Sequence, residues 1–135
     1  LNRVNQYLTA NAQVTGFALA DAALAGRTAD AIIMMRSAIE QGTSPIALIG
    51  ALASKLRGVA KAAAVKSGTI STAEAGMPSW MLKKVRLGGW TSAGLSACIQ
   101  TLAWADEQSK TNGGDPVYAL ERSIECIAAK GRERQ

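Results

Sequence analysis

The chain has 135 residues, 48% of them hydrophobic and 19% charged, with 15 basic against 10 acidic residues for a formal net charge of +5. That length suits one domain with one core, and that apolar content excludes a disordered tail. The sequence holds no histidine and two cysteines, which excludes Ser-His and Cys-His nucleophile pairs and the His-containing and four-cysteine zinc sites.

Alanine, leucine and isoleucine dominate while β-branched runs are scarce, so the chain reads as all-α. Val4, Tyr7 and Leu8 stand at helical spacing, followed by a polar break from Asn11 to Gly16. A short helix then runs from Phe17 to a C-terminal stop at Gly26. Thr28 is placed to cap the next helix, in which Ala31, Ile32, Met35, Ala38 and Ile39 form one stripe and Gly42 is the stop. Ser44 and Pro45 are the N-cap and first residue of the clearest amphipath. On it Leu48, Ile49, Leu52, Ala53, Leu56, Val59, Ala60 and Ala63 share an arc, and Gly50, Ala51, Gly58, Ala62 and Val65 the opposite one. Lys55, Arg57, Lys61 and Lys66 edge that second arc.

The stretch from Ser67 to Gly76 reads as a mobile loop. Pro78 opens a helix carrying Trp80, Met81, Val85 and Leu87, which Gly88 and Gly89 stop. Thr91 or Ser92 starts another, with Leu95, Cys98, Ile99, Leu102 and Ala105 in one stripe, broken by Asn112, Gly113 and Gly114. Asp115 and Pro116 cap and open the last helix, with Val117, Leu120, Ile124, Ile127 and Ala128 inward. The expected architecture is a compact bundle of about six to seven helices with short connections. From Lys130 onward the chain reads as a basic tail that frays.

The pattern offers little catalytic chemistry. Neither G-x-x-x-x-G-K-[ST] nor G-x-G-x-x-G occurs, so no phosphate cradle is expected, and no calcium loop is present. Asp106 with Lys110 reads as a surface ion pair, and Glu121 with Glu125 as a solvated face near Arg122. Cys98 and Cys126 read as small buried hydrophobes and fit a reducing compartment. Trp80 and Trp90, near helix starts, read as lids on the core. Trp104 stands nine residues after Leu95, about 180° around the helix, on the side shared by Ala93 and Ala97. Either this helix is buried on two faces, or Trp104 belongs to a surface that meets another chain. The strip containing Gly58, Ala51 and Ala62 lets a second backbone approach, which makes it the other candidate interface; the alternative is a solvent face with tolerated glycines. An alternative reading is a helical nucleic-acid-binding domain using Lys55, Arg57, Lys61 and Lys66, although these fall on two edges of their helix. A small enzyme working through carboxylates or a lysine is a further alternative, for which no paired acids are evident.

In their joint order and spacing these signals resemble one family, the C-terminal collar domain of the δ subunit of the bacterial DNA polymerase III clamp loader. The similarity runs through Phe17 to Gly26, through Ala31 to Gly42, and through Pro45, Leu48, Ile49, Leu52, Leu56 and Arg57. It continues through Trp90, Leu95, Leu102, Asp106 and Lys110 to Ala119, Leu120 and Glu121. The resemblance implies that residues 1–16 end a preceding lid domain, 17–130 form the helical collar and 131–135 are the tail, the chain being a fragment of a longer protein. It implies an oligomerisation scaffold in DNA replication, without ATP site, cofactor or metal, in a complex that loads the sliding clamp onto primed DNA. The implied partners are the ATPase γ/τ subunits and δ′. Contact with the sliding clamp falls to an N-terminal domain, and DNA is met in the full complex. The implied location is the cytoplasm, with no membrane contact, and the parent assembly belongs to a DNA-directed DNA polymerase.

Overall fold

The structure, a computed structural model, describes residues 14–85 and 87–132. A first helix, α1, is described over 14–24. It is followed by α2 (Thr28–Glu40), α3 (Pro45–Lys66), α4 (Thr72–Ala75), α5 (Ser79–Lys84), α6 (Ser92–Lys110) and α7 (Pro116–Ala128). No strand occurs among the described residues, so the fold is the expected all-α bundle. Val4, Tyr7, Leu8 and Asn11 lie outside the described residues, as do 133–135.

α3 is the centre. Its 22 residues make a rod of roughly 33 Å, and Leu48, Ile49, Leu52, Leu56 and Val59 on it are buried. α6 and α7 pack on α3 and on each other, α2 packs on α7, and α4 packs on α3. Met35 from α2, Cys98 and Leu102 from α6, and Leu120, Ile124 and Ile127 from α7 complete one continuous core with Leu19 of α1.

The helix boundaries follow from local chemistry. Gly26 has φ +80°, and its N–H donates to the Ala23 carbonyl while Arg27 N–H donates to Ala22. This paired closure needs a left-handed residue, which glycine adopts without steric cost. Ser44 Oγ accepts from Ile46 N–H at 3.2 Å with Pro45 next, as the sequence predicts. Asp115 Oδ1 accepts from Tyr118 N–H at 3.0 Å, and Thr91 Oγ1 from Gly94 N–H at 2.9 Å. Each oxygen satisfies a donor that the first helical turn leaves open.

Several expectations are corrected. Residues 14–16 are helical rather than a break, because Gly16 packs against α3: a Cβ there would stand 2.6 Å from Ala51 Cβ. Thr28 is the first residue of α2, not its cap; Arg27 holds that position with no side-chain bond, since the Gly26 closure hands the chain straight to the helix. The expected loop from Ser67 to Gly76 contains α4, nucleated by a capping box. Ile99, expected inward, is 48% exposed, because α6 turns Gly94, Cys98, Leu102 and Ala105 toward the core; Val117, also expected inward, is 37% exposed in the first turn of α7. Trp80 is 57% exposed rather than enclosed as a lid; Trp90 does pack on the core. Lys130 and Gly131 do not fray: their backbone sits against Gly94 of α6.

The α4 capping box has a testable pH signature. Ser71 N–H donates to Glu74 Oε1 at 3.0 Å, and Glu74 N–H donates to Ser71 Oγ at 3.1 Å. The backbone bond from Ser71, then the one with its side chain, hold the Glu74 carboxyl below the ordinary glutamate value. With the folded value depressed, this local stabilisation is present above the unfolded pKa and is lost as pH falls through the folded one. NMR titration should place the Glu74 midpoint below that of an unstructured glutamate, and Ser71→Ala should move it part of the way back. An unmoved midpoint in the variant contradicts the reciprocal bond.

Candidate subunit interface

The surface of α6 and α7 is set by how closely the two helices approach. Gly94, Cys98 and Ala105 of α6 face Ala119, Ser123 and Cys126 of α7, all buried. At the end of this seam a Cβ on Gly94 would collide with the Lys130 carbonyl oxygen, and one on Gly131 with the Gly94 backbone. Ser123 Oγ donates back to the Ala119 carbonyl at 2.9 Å, so this buried hydroxyl is satisfied without widening the seam.

Above the seam lies an aromatic pair. Trp104 of α6 meets Tyr118 of α7 edge-on, with centroids 6.2 Å apart and planes at 88°. The rings are nonetheless 37% and 52% exposed. Trp104 therefore does not face away from the core. The buried line of α6 runs through Gly94, Cys98, Leu102 and Ala105, with Leu95 half-buried against the core and Ile99 exposed, which places Trp104 on the α7 flank, about 115° from that line. Ala97, half-buried, and Ala93, exposed, continue its side of the helix. Tyr118 was missed in the sequence. Its signal was there: it stands two residues before Leu120, about 200° from that core position.

The small-residue strip of α3 divides. Ala51 and Ala62 are 7% and 4% exposed; Ala51 serves as the seat of α1 at Gly16, so both alanines belong to the protomer's own packing and not to an open face. Gly58 is half-buried and Gly50 exposed, and a Cβ on either would meet nothing within 4 Å. Arg57 and Lys61 are exposed and, four residues apart, share a helix face. Lys55 is tied into α1: its Nζ lies 3.1 Å from Asp21 Oδ1 and 5.3 Å from the Phe17 ring centroid. Lys66 occupies the last turn of α3, where its charge complements the helix dipole. The four bases thus form no single stripe.

Three acids of α6 and α7 form surface pairs. Asp106 holds Lys110 at 2.9 Å, Glu125 lies 3.5 Å from Arg122, and Glu121 reaches across to Arg36 of α2 at 2.8 Å. Each is a solvent-screened contact worth under about 1 kcal/mol. No group of three or more potential metal-ligating side chains occurs among the described residues. Among the same residues, no helix is long and apolar enough to cross a membrane.

A family model for the DNA polymerase III delta subunit, C-terminal domain, matches residues 13–125. The chain belongs to this family. The match covers every helix from α1 to α6 and most of α7. No curated protein and no solved structure matches the chain significantly. Membership in the delta C-terminal family implies a non-catalytic part in the DNA polymerase III clamp loader.

Proposed function

We propose that this domain is the collar of the delta subunit, the module through which it associates side by side with the ATPase γ/τ subunits and δ′ of a cytoplasmic clamp loader. The family match over residues 13–125 carries this reading. Its docking surfaces are the Trp104–Tyr118 pair continued by Ala97 and Ala93, and the side of α3 holding Gly58. Exposed aromatic anchors beside small residues suit such a contact, because the rings supply apolar area and the small residues let a neighbouring backbone close in. ATP hydrolysis and opening of the clamp fall to other parts of the assembly.

Reconstitution tests the proposal. The chain mixed with γ/τ and δ′ should co-elute with them in size-exclusion chromatography, with a mass by light scattering that includes one copy. Elution as a separate species at micromolar concentrations overturns it. The nucleic-acid alternative makes a different prediction. Since Lys55 is engaged with Asp21 and Phe17, the chain alone should bind primed DNA only weakly at physiological salt. Tight binding with a steep fall between two salt concentrations would instead favour DNA contact as its main role.

A further inference from the structure

The seam between α6 and α7 brings the chain's two cysteines into contact. Cys98 Sγ and Cys126 Sγ lie 3.3 Å apart, and Cys98 Sγ is 3.4 Å from the Cys126 carbonyl oxygen. Thr101 Oγ1, on a half-buried residue, stands 3.8 Å from Cys126 Sγ. The residues are separated by 28 positions in sequence, and neither heads a helix, so their meeting is a product of the tertiary fold. A disulfide bond is about 2.05 Å long, which leaves the two sulfurs to close by roughly 1.25 Å. Both residues are buried on adjacent packed helices, so rotation about their side-chain torsions is the motion that closes the gap.

We infer that Cys98 and Cys126 form a latent intrachain disulfide, closed by a low-molecular-weight disulfide oxidant, that staples α6 to α7. The chemistry is two successive exchanges. One cysteine thiolate attacks a sulfur of oxidised glutathione, breaking its S–S bond, forming a mixed disulfide and expelling one glutathione thiolate. The second cysteine thiolate attacks the protein sulfur of that mixed disulfide, forming the Cys98–Cys126 bond and expelling the other glutathione. The two protons lost by the cysteines are taken up by the two departing thiolates. The protein is oxidised by two electrons and glutathione disulfide is reduced by two. With side chains 0% and 2% exposed, the exchange waits on local opening of the α6–α7 hairpin, so in a reducing compartment the thiols persist and the staple closes only under sustained oxidation.

The bond links one chain to itself and shortens the unfolded chain's reach, which raises stability. The experiment incubates the folded chain with oxidised glutathione, quenches with acid, alkylates in denaturant and weighs the product. The expected product is a single chain lighter by two hydrogens, with no alkylated cysteine and a thermal midpoint several degrees above that of the reduced chain. Cys98→Ala and Cys126→Ala, each checked for folding by circular dichroism, should both lose this product. Two alkylated cysteines after prolonged incubation, a persistent glutathione adduct, a bond between two chains, or a lowered midpoint each overturn the inference. None of these readouts depends on assembly with other subunits.

Discussion

Gly94→Ala should destabilise the chain by about 1–3 kcal/mol, the cost of overpacking a closed contact. The sign runs against helix propensity, by which alanine for glycine gains up to about 1 kcal/mol. The new methyl group would point at the carbonyl oxygen of Lys130. That atom is backbone, held by the closure in which Gly131 N–H donates to Cys126 O at 2.8 Å and Lys130 N–H to Ile127 O at 2.9 Å. It cannot swing aside as a flexible side chain does, so α6 and the end of α7 must part and loosen the seam. Gly50→Ala provides the opposite control. Gly50 sits inside α3 with nothing within 4 Å of an added Cβ, and the change should stabilise by about 0.5–1 kcal/mol. Urea unfolding followed by circular dichroism measures both. A neutral or stabilising Gly94→Ala refutes the backbone contact between α6 and the end of α7.

Trp104→Ala should weaken association with the other clamp-loader subunits by about 30-fold or more, the loss of a binding anchor worth at least roughly 2 kcal/mol. The monomer should lose much less. The edge-on contact with Tyr118 contributes about 0.5–1.5 kcal/mol, and the indole already leaves a third of its surface in water. Titration of labelled chain into γ/τ and δ′, beside a melting curve of the variant alone, separates the two effects. Undiminished affinity with a normal melting curve removes Trp104 from the interface while leaving the collar reading itself to the reconstitution. A collapse of both affinity and melting temperature assigns Trp104 to the protomer's interior.

The placement of Trp104 shows where one-dimensional reading of the sequence reaches its limit. Leu95, Ile99 and Leu102 look like a core line because leucine and isoleucine are apolar, yet Leu102 alone of them is buried, and glycine, cysteine and alanine complete the buried line. Hydrophobicity ranks side chains by size as well as polarity. Where two helices approach closely, the innermost positions must be small and the larger residues are displaced to the flanks. The same effect moved Ala51 from the outer strip to the inside. An alanine at the edge of the arc that starts at Leu48 carries too little apolar area to declare a direction, and only the arrival of α1 at Gly16 settled it. The Ser71–Glu74 capping box, by contrast, was fully legible as S-x-x-E and was overlooked because the surrounding segment is polar.

The sequence alone determined what depends on neighbours in the chain. The all-α class, the stops at Gly26 and Gly42, the caps at Ser44, Thr91 and Asp115, and the order of signals that marks the family all rest on contacts within four or five residues. Tertiary structure decided which flank of each helix is covered, the meeting of Cys98 with Cys126, and the pairing of Trp104 with Tyr118. The reason is geometric: a helix's periodicity specifies which residues share a side, but small side chains weigh little in that pattern, and the partner that fills each side comes from a distant part of the chain.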